Sequence, residues 1–102
     1  MAVQLDFHPK ATEELEDATR WYADRSPKAA AGFVAAVERA VDSILATPLR
    51  FARVGRQCRG CSLVGYPYQI VFRCDSNRVQ VVAVAHAKRR PGYWARRELD
   101  QP

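Results

Sequence analysis

The hydrophobic period of this chain changes once, at Thr47-Pro48, and that change limits the fold more than any other feature. Before it, apolar residues recur every three to four positions. After it, they alternate or run on without a break. A chain built this way folds as a helical unit followed by a sheet, which defines an α+β class.

Prolines mark most of the boundaries. Val3, Leu5 and Phe7 alternate with Gln4 and Asp6, the pattern of a short N-terminal strand. Pro9 suits the first turn of a helix, where its missing N–H costs nothing. Ala11, Leu15, Ala18 and Tyr22 then form one stripe, and Glu13, Glu14, Glu16 and Asp17 place acid in the early turns, favourable to the helix dipole. Asp24-Arg25-Ser26 makes a turn. Ser26 is a good N-cap and Pro27 a good first residue for a second helix, with Phe33, Val37, Ala40/Val41 and Ile44 on its apolar face. Pro48 restricts Thr47 and ends that helix, so the two helices form a hairpin.

The second half reads as three strands. Residues 56–64 form the first, with a bulge expected at Gly60. Tyr68, Ile70 and Phe72 alternate through the second, and Asp75-Ser76-Asn77 turns it back. Val79 to Ala85 is apolar on both faces and rich in β-branched residues, as a central strand requires. The expected fold is an N-terminal strand, an α-helical hairpin, a three-stranded antiparallel meander and a short C-terminal helical segment over residues 92–99. Helices cover one sheet face and leave the other free.

The 102 residues suffice for a single domain, residues 1–102, with one core. No apolar run reaches the length of a membrane span, and the start carries no signal-peptide pattern, so no membrane association and a cytoplasmic location are expected. Three cysteines, Cys58, Cys61 and Cys74, cannot close a disulfide framework. Cys58 and Cys61 point to opposite faces if they lie on a strand, and a zinc site lacks ligands. The expectation is free thiols, no metal and no cofactor.

Charge is divided unevenly. Residues 1–47 carry five basic and eight acidic side chains, a net of −3, and residues 48–102 carry eleven and three, a net of +8. A basic half of this kind suits a polyanionic partner, whether nucleic acid, a nucleic-acid machine or an acidic peptide. Five of the cations fall between His86 and Arg97, beside Tyr93 and Trp94. Guanidinium groups bind phosphate in pairs of hydrogen bonds, and exposed rings stack on bases. Lys88, Arg89, Arg90, Tyr93, Trp94 and Arg97 are therefore the candidate target-binding residues. Two readings stand for Trp94, a stacking platform or a side chain that packs the tail onto the sheet. His86, placed on one face with Val82 and Val84, is equally a core-edge histidine or a proton-transfer group.

From Phe7 to Arg97 the chain resembles the RelE/ParE superfamily, the toxins of bacterial type II toxin–antitoxin modules, often called plasmid stabilisation proteins. The resemblance runs through Ala11, Leu15, Ala18 and Trp21-Tyr22, then Ser26-Pro27, Phe33, Val37 and Leu63. Its specific parts are Tyr66-Pro67-Tyr68-x-Ile70-x-Phe72 and His86-x-x-Arg89-x-Pro91-x-Tyr93-Trp94-x-x-Arg97. It implies a cognate antitoxin that wraps the toxin in a hetero-oligomer. It also implies one of two targets. RelE-like members are metal-independent endonucleases that cut messenger RNA on the ribosome; here that activity would fall to His86, Arg89 and Tyr93, with Lys88 and Arg73 in support. ParE-like members inhibit DNA gyrase and have no hydrolytic site. The nuclease pattern is incomplete, because Gln69 stands where such enzymes carry an arginine, and a neutral amide cannot offset developing negative charge. The ending is similar to the ParE-like branch. Gyrase inhibition is accordingly the first expectation, mRNA cleavage the alternative, and a non-toxic binding homologue a third.

Overall fold

The computed structural model describes residues 3–99. Strand β1 (Gln4–Phe7) leads into helix α1 (Pro9–Ala23), and helix α2 (Pro27–Ala46) returns. Both helices start as their sequences dictate. His8 caps α1, its Nδ1 accepting from the Lys10 N–H at 3.0 Å, and Ser26 Oγ accepts from the Ala29 N–H at 3.0 Å to cap α2. A 3-10 turn, Pro48–Arg50, follows. Strands β2 (Arg59–Ser62), β3 (Tyr68–Asp75) and β4 (Arg78–His86) come next, and a short 3-10 segment, Ala95–Leu99, ends the described chain.

The sheet order is β1-β4-β3-β2. The last three strands form the expected antiparallel meander, and β1 adds parallel to β4, so the sheet is mixed. Strand β4 sits between two neighbours with both faces covered, which is why its sequence is apolar throughout. On one face the helices supply Ala11, Ala18, Phe33, Val37, Ala40 and Ile44 against Ile70, Phe72, Val79, Val81 and Val84. Among the described residues no helix is long and apolar enough to cross a membrane.

Three expectations need correction. The first strand of the meander covers Arg59–Ser62 and not 56–64, because residues 52–60 fold back on themselves through Val54 N–H to Cys58 C=O (2.9 Å) and Gly60 N–H to Ala52 C=O (3.0 Å). The bulge is not at Gly60, which pairs in register with Val71. Gly60 instead makes room for Gln69, whose Nε2 lies 2.5 Å from where a β-carbon would stand. The irregularity falls on β4, where Val71 pairs with Ala83 and Phe72 with Val81, leaving Val82 as the extra residue.

The third correction concerns the second sheet face, which is not free. Cys58, Val71, Val82, Ala83, Ala85 and Trp94 form a second apolar cluster there, with Val54 and Tyr93 against it. The C-terminal segment lies over this face. Cys58 belongs to this cluster and Cys61 to the helix side, so the two thiols do face opposite ways.

Candidate functional site

The bulge at Val82 organises the site. Parallel pairing of β1 with β4 ends at Phe7 opposite Val81, and the His8 N–H donates to the Val81 carbonyl at 2.8 Å. Beyond that point the edge of β4 has no strand beside it. Side chains occupy it instead. Glu14 of α1 accepts from the Val84 N–H through Oε1 at 3.0 Å, and Arg97 Nη1 donates to the Val82 carbonyl at 3.1 Å. The two side chains also join each other, Arg97 Nη1 to Oε1 at 2.9 Å and Nη2 to Oε2 at 3.0 Å. The Tyr93 hydroxyl donates to Oε2 at 2.7 Å. Helix, sheet edge and tail thus meet at one carboxylate.

The electrostatics follow from that geometry. Burial alone would raise the Glu14 carboxyl, but hydrogen bonds from Arg97, Tyr93 and the Val84 N–H outweigh it and hold it below the ordinary value. Burial and the adjoining carboxylate push the Tyr93 phenol well above its ordinary value, so it stays protonated. Arg89 lies over the Tyr93 ring, 3.8 Å from its centroid, and its Nη1 is 3.9 Å from Glu14 Oε2. Its side chain is nonetheless 54% exposed, so that ion pair contributes little beyond orientation.

These contacts sort the six candidate target-binding residues. Trp94 is 5% exposed and packs beside Gly55, where a β-carbon would lie 2.8 Å from its ring; it holds the tail down and offers no stacking face. Arg97 is committed to Glu14, and Tyr93 is half-buried with its hydroxyl engaged. Lys88, Arg89 and Arg90 remain exposed on the turn after β4. His86 is half-buried, edge-on to Tyr68 at 4.9 Å, and its Nδ1 accepts from the Lys88 N–H at 3.0 Å. The bulge also changes its company. Val84 faces the helices while Val82 faces the tail, so the expected common face of His86, Val82 and Val84 does not exist.

The same turn borders a cleft of about 430 Å³ lined by Ser62, Tyr68, Gln69, His86, Arg89 and Arg90, among others. Gln69 lines it with a neutral amide, and phosphate cleavage needs a cation. Arg73 stands four residues along β3, about 13 Å by strand rise. It is also engaged, donating to Gln80 Oε1 at 2.8 Å and to the Glu98 carbonyl. Of the five residues of the nuclease reading, His86, Arg89 and Tyr93 line the cleft, and Lys88 is exposed on the adjoining turn. Tyr93 and Arg73 are held by other partners. The arrangement is suited to holding an anionic or hydrogen-bonding surface.

Two residues escaped the sequence reading. Glu14 is one of four early-turn acids that suit the helix dipole, yet it follows Ala11 by three and precedes Ala18 by four, which puts it on the buried stripe. Glu98 is 7% exposed and accepts from the Gln57 N–H at 2.7 Å, tying the tail to the loop before β2. An acid directly after Arg96-Arg97 was its only signal. Burial and neighbouring Glu98 push the Cys58 thiol up to about 12, an inert group.

A four-stranded mixed sheet carrying a helical hairpin on one face and a pinned tail on the other defines a compact α+β class. Within it, the chain belongs to the ParE toxins of type II toxin–antitoxin systems of the parDE kind, whose family profile matches residues 5–91. Among solved structures it is similar to a chain of a chromosomal ParDE toxin–antitoxin system from P. aeruginosa. That match has a TM-score of 0.69 and 18% identity, covering 84% of this chain and 97% of the other. No curated protein matches it. At that identity the structural likeness establishes the fold, and the family assignment implies an antitoxin partner.

Proposed function

We propose that this toxin arrests growth by inhibiting DNA gyrase through the turn after β4, and that its cognate antitoxin neutralises it. One observation carries the reading. Lys88, Arg89 and Arg90 are exposed on the turn that borders the cleft, while Gln69 gives the cleft no cation and Tyr93 and Arg73 are held by other partners. Phosphoryl chemistry needs a cation at the scissile phosphate and proton donors and acceptors that exchange near neutral pH. Gln69 supplies no charge, Tyr93 keeps its proton, and Arg73 is bound elsewhere. A contact surface has no such requirements.

The test is direct. Purified toxin should reduce supercoiling by gyrase or trap gyrase-cleaved DNA, and pre-mixing with antitoxin should abolish the effect. Substituting Lys88→Glu, Arg89→Glu and Arg90→Glu together should relieve inhibition by at least about tenfold, as expected for clustered charges at a contact surface. Unchanged supercoiling at saturating toxin would remove gyrase as the target. Codon-dependent messenger cleavage in a translating extract, lost on Arg89→Ala, would establish the endonuclease alternative. Harmless overexpression without antitoxin would identify a non-toxic binding homologue.

A further inference from the structure

The tail and the loop before β2 are far apart in sequence but touch in the fold. Trp94 packs on Gly55, the Gln57 N–H donates to Glu98, and Val54 joins the same apolar cluster as Trp94 and Tyr93. Exposed cations lie along both segments, and Arg90 lines one cleft with Val54 and Trp94. Arg53 and Arg56 flank Gly55, Arg96 lies between the buried Trp94 and Glu98, and Lys88 and Arg90 belong to the turn at the other end of the tail. All five side chains are exposed.

Among the described residues none of the five has an ion-pair partner. Among the described residues the ion pairs engage Arg20, Arg78, Arg89 and Arg97, and no acid pairs with Arg53, Arg56, Lys88, Arg90 or Arg96. The one acid within residues 53–98 of these two segments, Glu98, is buried and already accepts a hydrogen bond. Uncompensated charges on these adjoining segments concentrate counterions that any polyanion would release on binding.

We propose that this tail-side face binds the phosphodiester backbone of nucleic acid, without reading sequence. The composition of the face separates this partner from an acidic protein segment. A peptide that folds on docking needs apolar anchors as well as charge complementarity. The exposed large apolar residues are Val3, Leu5, Trp21, Val34, Leu49 and Val64, and none belongs to residues 52–59 or 88–98. Peptide anchors therefore lie elsewhere on the molecule. A phosphate backbone needs cations alone, and guanidinium groups suit it best.

The binding needs no gyrase, so it is tested without it. Full-length toxin is titrated into a labelled 20-base-pair duplex and, separately, a single-stranded RNA of about equal charge, between about 50 and 200 mM salt. Binding should weaken with salt at a log–log slope near −4 on duplex DNA, about 0.9 for each neutralised phosphate. Substituting Arg56→Glu with Arg96→Glu should weaken binding at about 100 mM salt by at least tenfold and flatten the slope by about 2. Lys28→Glu with Arg39→Glu, an equal charge change on exposed α2 positions, should alter it less than about threefold. If thermal melts show the first pair misfolded, Arg53→Gln with Arg90→Gln takes its place. Tighter binding of either nucleic acid supports the inference and identifies which backbone is used. No binding of either at the lowest salt overturns it, as does equal loss in the two charge-reversed pairs, or competition by poly-glutamate as strong as that by DNA. A toxin that binds DNA but leaves supercoiling intact keeps this inference and removes the gyrase reading.

Discussion

Replacing Glu14 by alanine should be the most damaging single change at a charged position of α1. The carboxylate accepts four hydrogen bonds, from Val84 N–H, Tyr93 hydroxyl and both Arg97 terminal nitrogens. Glu14 and Arg97 side chains are each 15% exposed, so water replaces little of what is lost. Removing one member of a buried ion pair typically costs about 3 to 5 kcal/mol, because the other charge stays buried without its partner. Taking the lower bound of about 3 kcal/mol, and roughly 4–8 °C per kcal/mol for a chain near this size, the melting temperature should fall by on the order of 15 °C. Calorimetry or circular dichroism measures it. Arg97→Met combined with Glu14→Met removes both charges and should recover at least about half the loss, since a desolvated pair adds little over apolar packing. A drop under about 3 °C for Glu14→Ala would refute the reasoning, showing that solvent satisfies Arg97 and the β4 edge. The pH dependence has a definite sign. The Glu14 carboxyl lies below its ordinary 4.5 in the folded chain, so its contribution is complete above about pH 4.5 and lost as pH falls through the folded value. Glu14→Gln should therefore flatten the acid limb of the stability curve.

Gly55→Ala places a β-carbon 2.8 Å from the buried Trp94 ring and should destabilise by about 1–3 kcal/mol, read from denaturant midpoints. Tyr93→Phe keeps the ring beneath Arg89 and deletes one hydrogen bond to Glu14, for a loss of roughly 1 kcal/mol with the two Arg97–Glu14 hydrogen bonds kept. Thiol labelling of the native protein near pH 8 should leave Cys58 unmodified, whereas all three cysteines react after unfolding; fast native labelling of Cys58 would contradict its burial.

Local rules carried most of the fold. Proline positions and the Ser26 cap set the helix limits, and the two-sided apolar run identified β4 as central, because each depends on near neighbours in sequence. The Val82 bulge was hidden for the opposite reason. It shows in which β3 residue faces which β4 residue, and a run of valines and alanines looks the same in either register. With the bulge unseen, the companions of His86 were misassigned. Trp94 illustrates a different limit. Its residue type suits stacking or burial equally, and what decided was Gly55, 39 positions earlier, which leaves a place for the ring. The basic ending was legible as charge, yet which cations face outward depends on Glu14, 83 residues before Arg97.

The parallel pairing of β1 with β4 sets an order of assembly. Leu5 finds its partner at Val79 and Phe7 at Val81, so the first strand made has nothing to pair with until the last is complete. The helical hairpin, finished by Ala46, waits as well, because the residues it covers on β3 and β4 come later. A ribosome emitting this chain from the N-terminus releases a helix pair with exposed apolar stripes and a single orphan strand. The sheet closes only when residues 78–86 emerge, and the tail seals it last. Contacts this distant in sequence slow the search for the native state. The toxin domain thus takes its shape only once β4 has been made, in one late step.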